Sequence, residues 1–283
     1  MAMVISMTRV TIFGARGSTP VSGAEVLRFG GQTTCFGIEY DDQFLIVDAG
    51  SGLTGACARL DARAGSREIT ILMTHYHMDH LVGLFSFPYR HHPDYRITIV
   101  SCAQSHGDFQ ATLESSIGGA CWPVSLAESA AEINYHDLSQ SDGQLTRGAL
   151  HITALPIPHP QSCLAYRIES PDGIVVIATD VEIESDDDKH DLAAFCANAD
   201  LLLFDAQFTP EEYDHVRGWG HSTWEQAARF GRDCGVAKLV LTHHDSTRTD
   251  TQIDEIVTRA RGLFAATEAA AAGMVLCLEG KGS

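Results

Sequence analysis

The sequence contains no long apolar run: nothing in its 283 residues approaches the roughly 18 consecutive apolar residues of a membrane-spanning helix. Its opening stretch, MAMVISMTRV, lacks both the basic segment and the long apolar core of a secretory signal. We therefore expect a cytoplasmic protein without a membrane span.

The sequence also lacks closely paired cysteines. Eight cysteines are scattered at positions 35, 57, 102, 121, 163, 196, 234 and 277, and none of them forms a C-x-x-C pair. Neither a zinc knuckle nor a redox pair is indicated, and we expect buried, reduced thiols.

Basic side chains are few. The chain has 19 lysines and arginines against 37 aspartates and glutamates, which gives a formal net charge of −18. A surface this acidic repels polyanions, so a long nucleic acid is not the expected partner. Bound divalent cations are not counted in this sum, however, and they would create a local positive pocket for a small anion.

Apolar, β-branched runs bounded by Gly, Asp, Pro or His predict a chain rich in strands. We predict strands at 8–14, 34–40, 43–50, 68–75, 95–101, 150–156, 163–169, 173–180, 199–206, 237–243 and 273–279. Several runs are continuously apolar, which favours strands that are covered on both faces.

Helices are predicted at 52–62, 191–198, 222–235 and 250–268. The third should begin with Ser222 and Glu225 as a capping box and end before Gly235. Strands dominate both halves and helices follow them. This order favours one α/β domain, 1–283, built as an αββα sandwich of two mixed β-sheets flanked by helices. Residues 102–149 are less regular and are predicted to form a lid-like insertion.

Several apolar runs end in residues that can bind metal. The segment ILMTHYHMDHLVGL, 71–84, contains three histidines and an aspartate, and later runs end in further candidates; the set is His75, His77, Asp79, His80, His159, Asp180 and His243. Strand ends on a rigid sheet can hold ligands within a fraction of an ångström, as a metal site requires.

The spacing within this set predicts a first ion site. On an extended segment, residues two apart point the same way, so His75 and His77 can bind one ion together. His159 would complete the protein ligands of this ion. A single buried histidine is more often a hydrogen-bonded core residue, an alternative that stays open for His159 taken alone but fits the dense cluster badly.

A second ion site is predicted beyond the strand end. Asp79 and His80 lie where the chain should turn, and His243 would complete their site. Asp180 would bridge both ions, which allows two cations to approach to about 3.5–4 Å. Nitrogen and oxygen ligands without thiolate suit Zn²⁺, and also Mn²⁺ or Fe²⁺.

The motif THYHMDH, with the later His159, Asp180 and His243, resembles that of the metallo-β-lactamase fold hydrolases. The order of these elements spans most of the chain. The resemblance implies an αββα sandwich with a dinuclear metal site at the edge of its two sheets.

A second motif, GHST-x-E-Q-A, followed by LVLTHH, resembles the ribonuclease Z branch of that family and its small cyclic phosphodiesterase relatives. The resemblance implies that His221 donates a proton to the leaving oxygen and that Asp205, at the end of LLLFDAQF, orients it. The alternative is that Asp205 caps a turn and His221 is solvated.

Two glycine-rich segments, GARGSTP and DAGSGL, also resemble the phosphodiesterase branch. Backbone N–H groups in such a turn can approach an anion, which makes Arg16 and Thr19 candidates for the pocket. Asp48 is expected to support the ligands of the first ion.

The chain departs from ribonuclease Z because it shows no glycine-rich, basic arm. The segment ESSIGGACWPVSLAES instead resembles a lid of bacterial cyclic-nucleotide phosphodiesterase-like members. Trp122 and Phe109 could stack a base there, or they could equally be core aromatics.

These features favour a dinuclear phosphodiesterase acting on a small phosphodiester, such as a cyclic nucleotide. Two metal ions would activate water, Asp79 could also accept its proton, and His221 would protonate the departing alkoxide. The alternatives are a ribonuclease Z-like RNA-processing nuclease, a thioester or lactone hydrolase on the same fold, and a non-enzymatic binding protein. Homodimers are common in the branch and are plausible here.

Overall fold

The structure, a computed structural model, describes residues 7–63, 67–102, 107–118, 121–183 and 186–280, the last range without the side chains of 186–188. Parts of the predicted lid, 103–106 and 119–120, therefore lie outside the described residues. Within the described part of the chain, no helix is long and apolar enough to cross a membrane.

Fourteen strands of the described chain form two sheets of seven strands each. The first sheet has the spatial order β14 (Val275–Leu278), β1 (Thr8–Gly14), β2 (Cys35–Tyr40), β3 (Gln43–Val47), β4 (Glu68–Leu72), β5 (Arg96–Ser101), β6 (Glu132–Asp137). The second has the order β13 (Thr267–Ala269), β12 (Leu239–Thr242), β11 (Leu201–Asp205), β10 (Gly173–Ala178), β9 (Cys163–Ser170), β8 (Leu150–Ile157), β7 (Gln144–Arg147).

Both sheets are mixed. Strands β3 to β6 run parallel, as do β10 to β13, while the remaining neighbours are antiparallel. Strand β8 pairs antiparallel with β9, which pairs antiparallel with β10, so β8 points the same way as β10. The carboxyl ends of β8, β10, β11 and β12 therefore meet at one edge of the second sheet.

Seven helices of the described chain accompany the sheets. They are α1 (Leu53–Ala62), α2 (Met78–Phe85), α3 (Phe109–Ser116), α4 (Asp186–Cys196), α5 (Pro210–Val216), α6 (Trp224–Asp233) and α7 (Asp250–Arg261). One apolar core lies between the sheets, a second lies between the first sheet and α1 to α3, and a third lies between the second sheet and α4, α6 and α7. The predicted αββα sandwich is confirmed, and burial of both sheet faces explains the continuously apolar runs.

The capping box of α6 differs by one residue from the prediction. Thr223, not Ser222, caps the helix, since its hydroxyl accepts from Gln226 N and the Gln226 side chain accepts from Thr223 N. The Ser222 hydroxyl donates instead to Val181 O at 2.6 Å. The sequence STWEQ allows two capping boxes, Ser222 with Glu225 or Thr223 with Gln226. The hydrogen bond from Ser222 to Val181 O favours the second.

The predicted C-terminal helix is also too long. Helix α7 ends at Arg261, and residues Thr267–Ala269 form β13 beside β12. Sequence reasoning further missed the edge strands β6 and β7. The described residues of the segment 102–149 therefore contribute α3 and one edge strand to each sheet.

A fully buried arginine connects the segment 102–149 to α2. The Arg90 guanidinium donates to Leu84 O at 2.9 Å, at the end of α2, and to Ser125 O at 2.7 Å in that segment. Hydrogen bonds from a charged donor are among the stronger ones in proteins. The helix that carries Asp79 and His80 is thus fixed at its far end.

Candidate metal centre

The structure brings the seven predicted ligands together at the carboxyl ends of strands from both sheets. His75 and His77 follow β4, Asp79 and His80 lie in the first turn of α2, and His159, Asp180 and His243 follow β8, β10 and β12. They form two groups, His75–His77–His159 and Asp79–His80–Asp180–His243, and within each group one ligand atom per residue lies within 4.8 Å of the others.

The local backbone at the first group differs from the prediction. Strand β4 ends at Leu72, and His77 is the N-cap of α2 with extended φ and ψ of −62° and 151°. The His75 ring still lies 4.5 Å from the His77 ring and 4.8 Å from the His159 ring, between centroids. An extended connection past the strand end is therefore enough to pair the two histidines.

Three residues of the site have left-handed backbone. Asp48, Asp180 and His243, each just after a strand, have φ of 60°, 57° and 58°. Such a conformation costs a non-glycine residue about 1–3 kcal/mol and persists where the surroundings enforce it. It turns these side chains out of the strand direction and into the site.

Buried hydrogen bonds fix the tautomers of His80 and His75. His80 Nδ1 lies 2.8 Å from Asp48 Oδ2, and His75 Nδ1 lies 3.1 Å from the Thr74 hydroxyl, which itself donates to Asp48. With Nδ1 as donor, each ring directs the lone pair of Nε2 into the site. Asp48 thus contacts a ligand of the second group directly and reaches the predicted first group only through Thr74.

The other histidines are oriented in the same way. His159 Nδ1 lies 2.9 Å from Gly220 O, and His243 Nδ1 lies 3.0 Å from Gln207 Oε1. His77 is reversed: its Nε2 lies 2.8 Å from Gln161 Oε1, and its Nδ1 faces His159. Partners that hold the outer nitrogen of a ligand histidine are a regular feature of metal sites.

The donor set fits divalent ions. His75 Nε2 and His80 Nε2 are buried and have no hydrogen-bond partner among the described residues, an unusual state for buried polar atoms. Asp180 Oδ1 lies 3.8 Å from the former, and Asp180 Oδ2 lies 3.3 Å from the latter. Nitrogen lone pairs beside a shared carboxylate match the requirements of Zn²⁺, Mn²⁺ or Fe²⁺.

The electrostatics agree with that fit. Burial lowers the pKa of His75 well below its usual value and that of His159 to about 4, so both rings are neutral and available as ligands near pH 7. Burial opposes charge on Asp180 and His243 more than any single neighbour favours it, but their mutual attraction and the attraction of the neighbouring histidines and aspartates together outweigh it. The pKa of Asp180 is held well below its usual range, and that of His243 is raised to about 9. The carboxylates therefore favour positive charge here, which a metal ion supplies by displacing protons.

His221 lies beside the second group. Its Nδ1 is 2.8 Å from Asp205 Oδ2, and its ring stacks on His243 at a centroid distance of 4.8 Å and an angle of 18°. Asp205 is fully buried and accepts from the backbone N–H groups of Asp180, Gln207 and Ser222 at 3.0–3.2 Å. Proximity alone would allow His221 to be a ligand; because Asp205 engages its Nδ1, Nε2 is the nitrogen that could serve either as a ligand or as a proton donor.

Of the four pocket candidates, Arg16 faces other loops, and Phe109 and Trp122 follow the alternative of core aromatics. Arg16 is buried and donates to Gly30 O and Arg248 O, so it braces loops instead of facing the site. Phe109 is a core residue, and Trp122 packs on Phe85 at 5.6 Å. Sequence patterns could not tell which way these side chains point.

Thr19, the fourth, is exposed. It follows a residue that sequence reasoning missed, Ser18, whose N–H donates to Asp79 Oδ2 at 2.7 Å. Gln207, also missed, donates to the Ser18 hydroxyl at 3.2 Å while holding His243. The glycine-rich turn thus contacts the second group, though not through the residues that were singled out.

Gly220 offers a test of the first group. Its φ is +88°, and an added Cβ would lie 2.3 Å from His159 Nδ1, whereas an added Cβ on Gly218, with φ of +84°, would meet nothing within 4 Å. We expect Gly220→Ala to weaken zinc binding about 10–100-fold because it displaces His159. Gly218→Ala should lower the free energy of unfolding by only about 1–2 kcal/mol, because it strains the backbone without contacting His159.

Titration with zinc against a competing chelator measures this difference. Gly218→Ala is the matched control, since it carries the same backbone strain without the clash. Equal zinc affinities for the two variants would contradict the placement of His159.

Two mixed sheets packed face to face, with a cluster of histidines and aspartates at their strand ends, define a metallo-hydrolase of the αββα class. A sequence profile of the β-lactamase superfamily domain matches residues 44–244, and the chain belongs to that superfamily. The predicted family and the predicted class, a metal-dependent hydrolase, are confirmed.

Relatives span nearly the whole chain. It is 24% identical to ribonuclease BN of Cronobacter sakazakii, over 80% of this chain and 86% of that protein. The metallo-β-lactamase fold protein YhfI of Bacillus subtilis superposes with a TM-score of 0.73 at 21% identity, covering 96% of this chain and 99% of YhfI. A diphosphatase of the PhnP family superposes with a TM-score of 0.68 at 16% identity, covering 96% and 98%. At these identities the two superpositions establish the fold alone.

Proposed function

We propose that the protein is a dinuclear metal-dependent phosphodiesterase that hydrolyses a small phosphodiester, with a cyclic nucleotide as the favoured substrate. The observation that carries the proposal is His221, held by the buried Asp205 beside two groups of metal ligands. A leaving alkoxide needs a proton donor of this kind, whereas a thiolate leaving group does not. The names of the relatives, a ribonuclease and a diphosphatase, support chemistry at phosphorus.

The residues of each group have distinct proposed roles. His75, His77 and His159 would hold one ion, Asp79, His80 and His243 the other, and Asp180 would be shared; zinc suits this set best. When bound, the two ions supply Lewis-acid chemistry, which lowers the pKa of water and neutralises charge on the phosphoryl oxygens.

The proton transfers fall to side chains of the chain itself. Asp79 would accept the proton of the attacking water, with its Oδ2 oriented by the Ser18 N–H. His221 would donate from Nε2 to the leaving oxygen, while Asp205 fixes the ring and stabilises its charged form. General acid catalysis of this kind contributes roughly 10²–10⁴ in rate.

A small substrate is favoured by shape and by charge. A cavity of about 290 Å³ adjoins the first group and is lined by His75, Tyr76, His77, Thr112, Gln161 and Ser162. This volume lies just below the roughly 300–1,000 Å³ that is usual for small-molecule sites. The net charge of −18 disfavours a long polyanion.

One comparison on protein with defined metal content tests the proposal. The substrates are bis-p-nitrophenyl phosphate, cyclic AMP, cyclic GMP, 2′,3′-cyclic nucleotides, a transfer-RNA precursor and a thioester. We expect the highest kcat/KM for a small diester and weak dependence on salt. Preferential cleavage of the RNA precursor with steep salt dependence would favour the nuclease alternative, and preference for the thioester would remove the phosphodiesterase proposal.

A further inference from the structure

Glu182 is a buried carboxylate that no sequence motif marked. It lies two residues after Asp180 and is 1% exposed. Its backbone N–H donates to Pro158 O at 3.2 Å, directly before His159. Its side chain points to a different part of the chain, the segment 218–221 that leads into α6.

Three groups donate to this carboxylate. Gly218 N lies 3.0 Å from each oxygen, Gly220 N lies 2.8 Å from Oε2, and the Tyr213 hydroxyl lies 2.7 Å from Oε1. These donors are uncharged, and two of them are backbone groups of alternate residues. The segment 218–221 is therefore wrapped around the Glu182 carboxylate, which holds it in a turn.

The anchored segment carries two parts of the candidate centre. Gly220 O holds His159 Nδ1 at 2.9 Å, and the next residue is His221. Both glycines have left-handed φ, and glycine restricts its backbone less than any other residue. Without an anchor, such a segment would sample many positions, and His221 Nε2 would lose its fixed distance from the substrate.

We propose that Glu182 is a positioning residue that holds the segment 218–221, and through it His221 and the Gly220 carbonyl, in their working geometry. This inference rests on the proposed function for its catalytic consequence, although the anchoring itself does not. Glu182 contacts neither the reacting atoms nor the predicted ligand atoms, so its effect on catalysis is transmitted through the backbone.

The first measurement is hydrogen exchange on metal-free protein, followed by mass spectrometry of peptides covering 216–223. Glu182→Ala should speed exchange of the Gly218 and Gly220 amides at least about 10-fold, because their acceptor is removed. Asp250→Asn is the matched control: Asp250 is also buried and accepts from the Arg28 and Phe29 amides, at a different place in the fold. Unchanged exchange in 216–223 would overturn the inference.

The second measurement compares two diesters that differ only in leaving group, p-nitrophenolate or a simple alkoxide. Glu182→Ala should lose about 10–100-fold more kcat on the alkoxide ester than on the p-nitrophenolate ester, because displacement of His221 affects only the leaving group that needs a proton, whereas any displacement of His159 affects both esters alike. Glu182→Gln keeps the volume and one acceptor oxygen, so it should show a smaller loss of the same kind. It also serves as the test if the alanine variant does not fold.

The two measurements separate the possible failures. Equal losses on both esters, in a protein that hydrolyses diesters, would reject Glu182 as the residue that positions His221 and leave the proposed function intact. A protein that hydrolyses no diester would remove the proposed function, and the exchange measurement would still decide whether Glu182 anchors the segment.

Discussion

Asp180→Asn is expected to lower kcat/KM for bis-p-nitrophenyl phosphate by about 10²–10³-fold or more, and to prevent the protein from holding two ions per chain. The reason is the position of this carboxylate between the two ligand groups. Its Oδ1 lies 3.8 Å from His75 Nε2 of the first group and 3.1 Å from His243 Nε2 of the second, and its Oδ2 lies 3.3 Å from His80 Nε2. Asparagine keeps the size of the side chain and tolerates left-handed backbone, so the variant removes charge with little change in shape.

Elemental analysis and steady-state kinetics on the same preparation measure both effects. Asp172→Asn is a suitable control. Asp172 lies in the β9–β10 turn, away from the centre, and its side chain accepts a hydrogen bond from Thr8 N. A variant that kept two ions per chain and full activity would show that Asp180 is not the shared ligand.

The second large effect is expected at His221. His221→Ala should lose roughly 10²–10⁴-fold on a diester with an alkoxide leaving group and far less on one with p-nitrophenolate. Asp205 holds Nδ1 at 2.8 Å, so in the proposed mechanism Nε2 would be the proton donor, and its contribution to the rate would grow with the basicity of the leaving oxygen. Metal content should be unchanged, since Nε2 is assigned to proton transfer.

Two further variants sharpen this test. His221→Phe removes the donor but keeps a ring to stack on His243, so it should reproduce the leaving-group dependence of the alanine variant. His151→Ala removes an exposed histidine on β8 and should change neither rate. Equal losses on both esters would exclude His221 as the general acid.

The buried strands were predictable because they are covered on both faces. Strands such as β10 and β11 read as unbroken apolar runs, and their sandwich follows from that pattern. Strand β6, in contrast, is half-buried and polar at the edge of the first sheet, and β7 and β13 are only four and three residues long. Such elements form through their neighbours more than through their own pattern, and sequence reasoning missed them.

The clustering of the candidate ligands was predictable from spacing and resemblance, but the residues that orient them were not. Ser18 and Gln207 are far apart in the chain and belong to no repeated spacing, yet folding places Ser18 against Asp79 and Gln207 against both His243 and Ser18. Glu182 is likewise defined by its contacts and by no motif. Helix α2 was missed because its first turn carries the polar residues Asp79 and His80. A prediction based on the spacing of apolar residues reads such a polar stretch as a loop.

The left-handed backbone at Asp48, Asp180 and His243 has a consequence for how this centre tolerates change over evolutionary time. If one of these strands became one residue longer or shorter, the side chain that follows it would point to the opposite face of the sheet and leave the site. Insertions should therefore accumulate in the loops that begin after these bends, as new specificities arise, while the strand lengths before them stay constant.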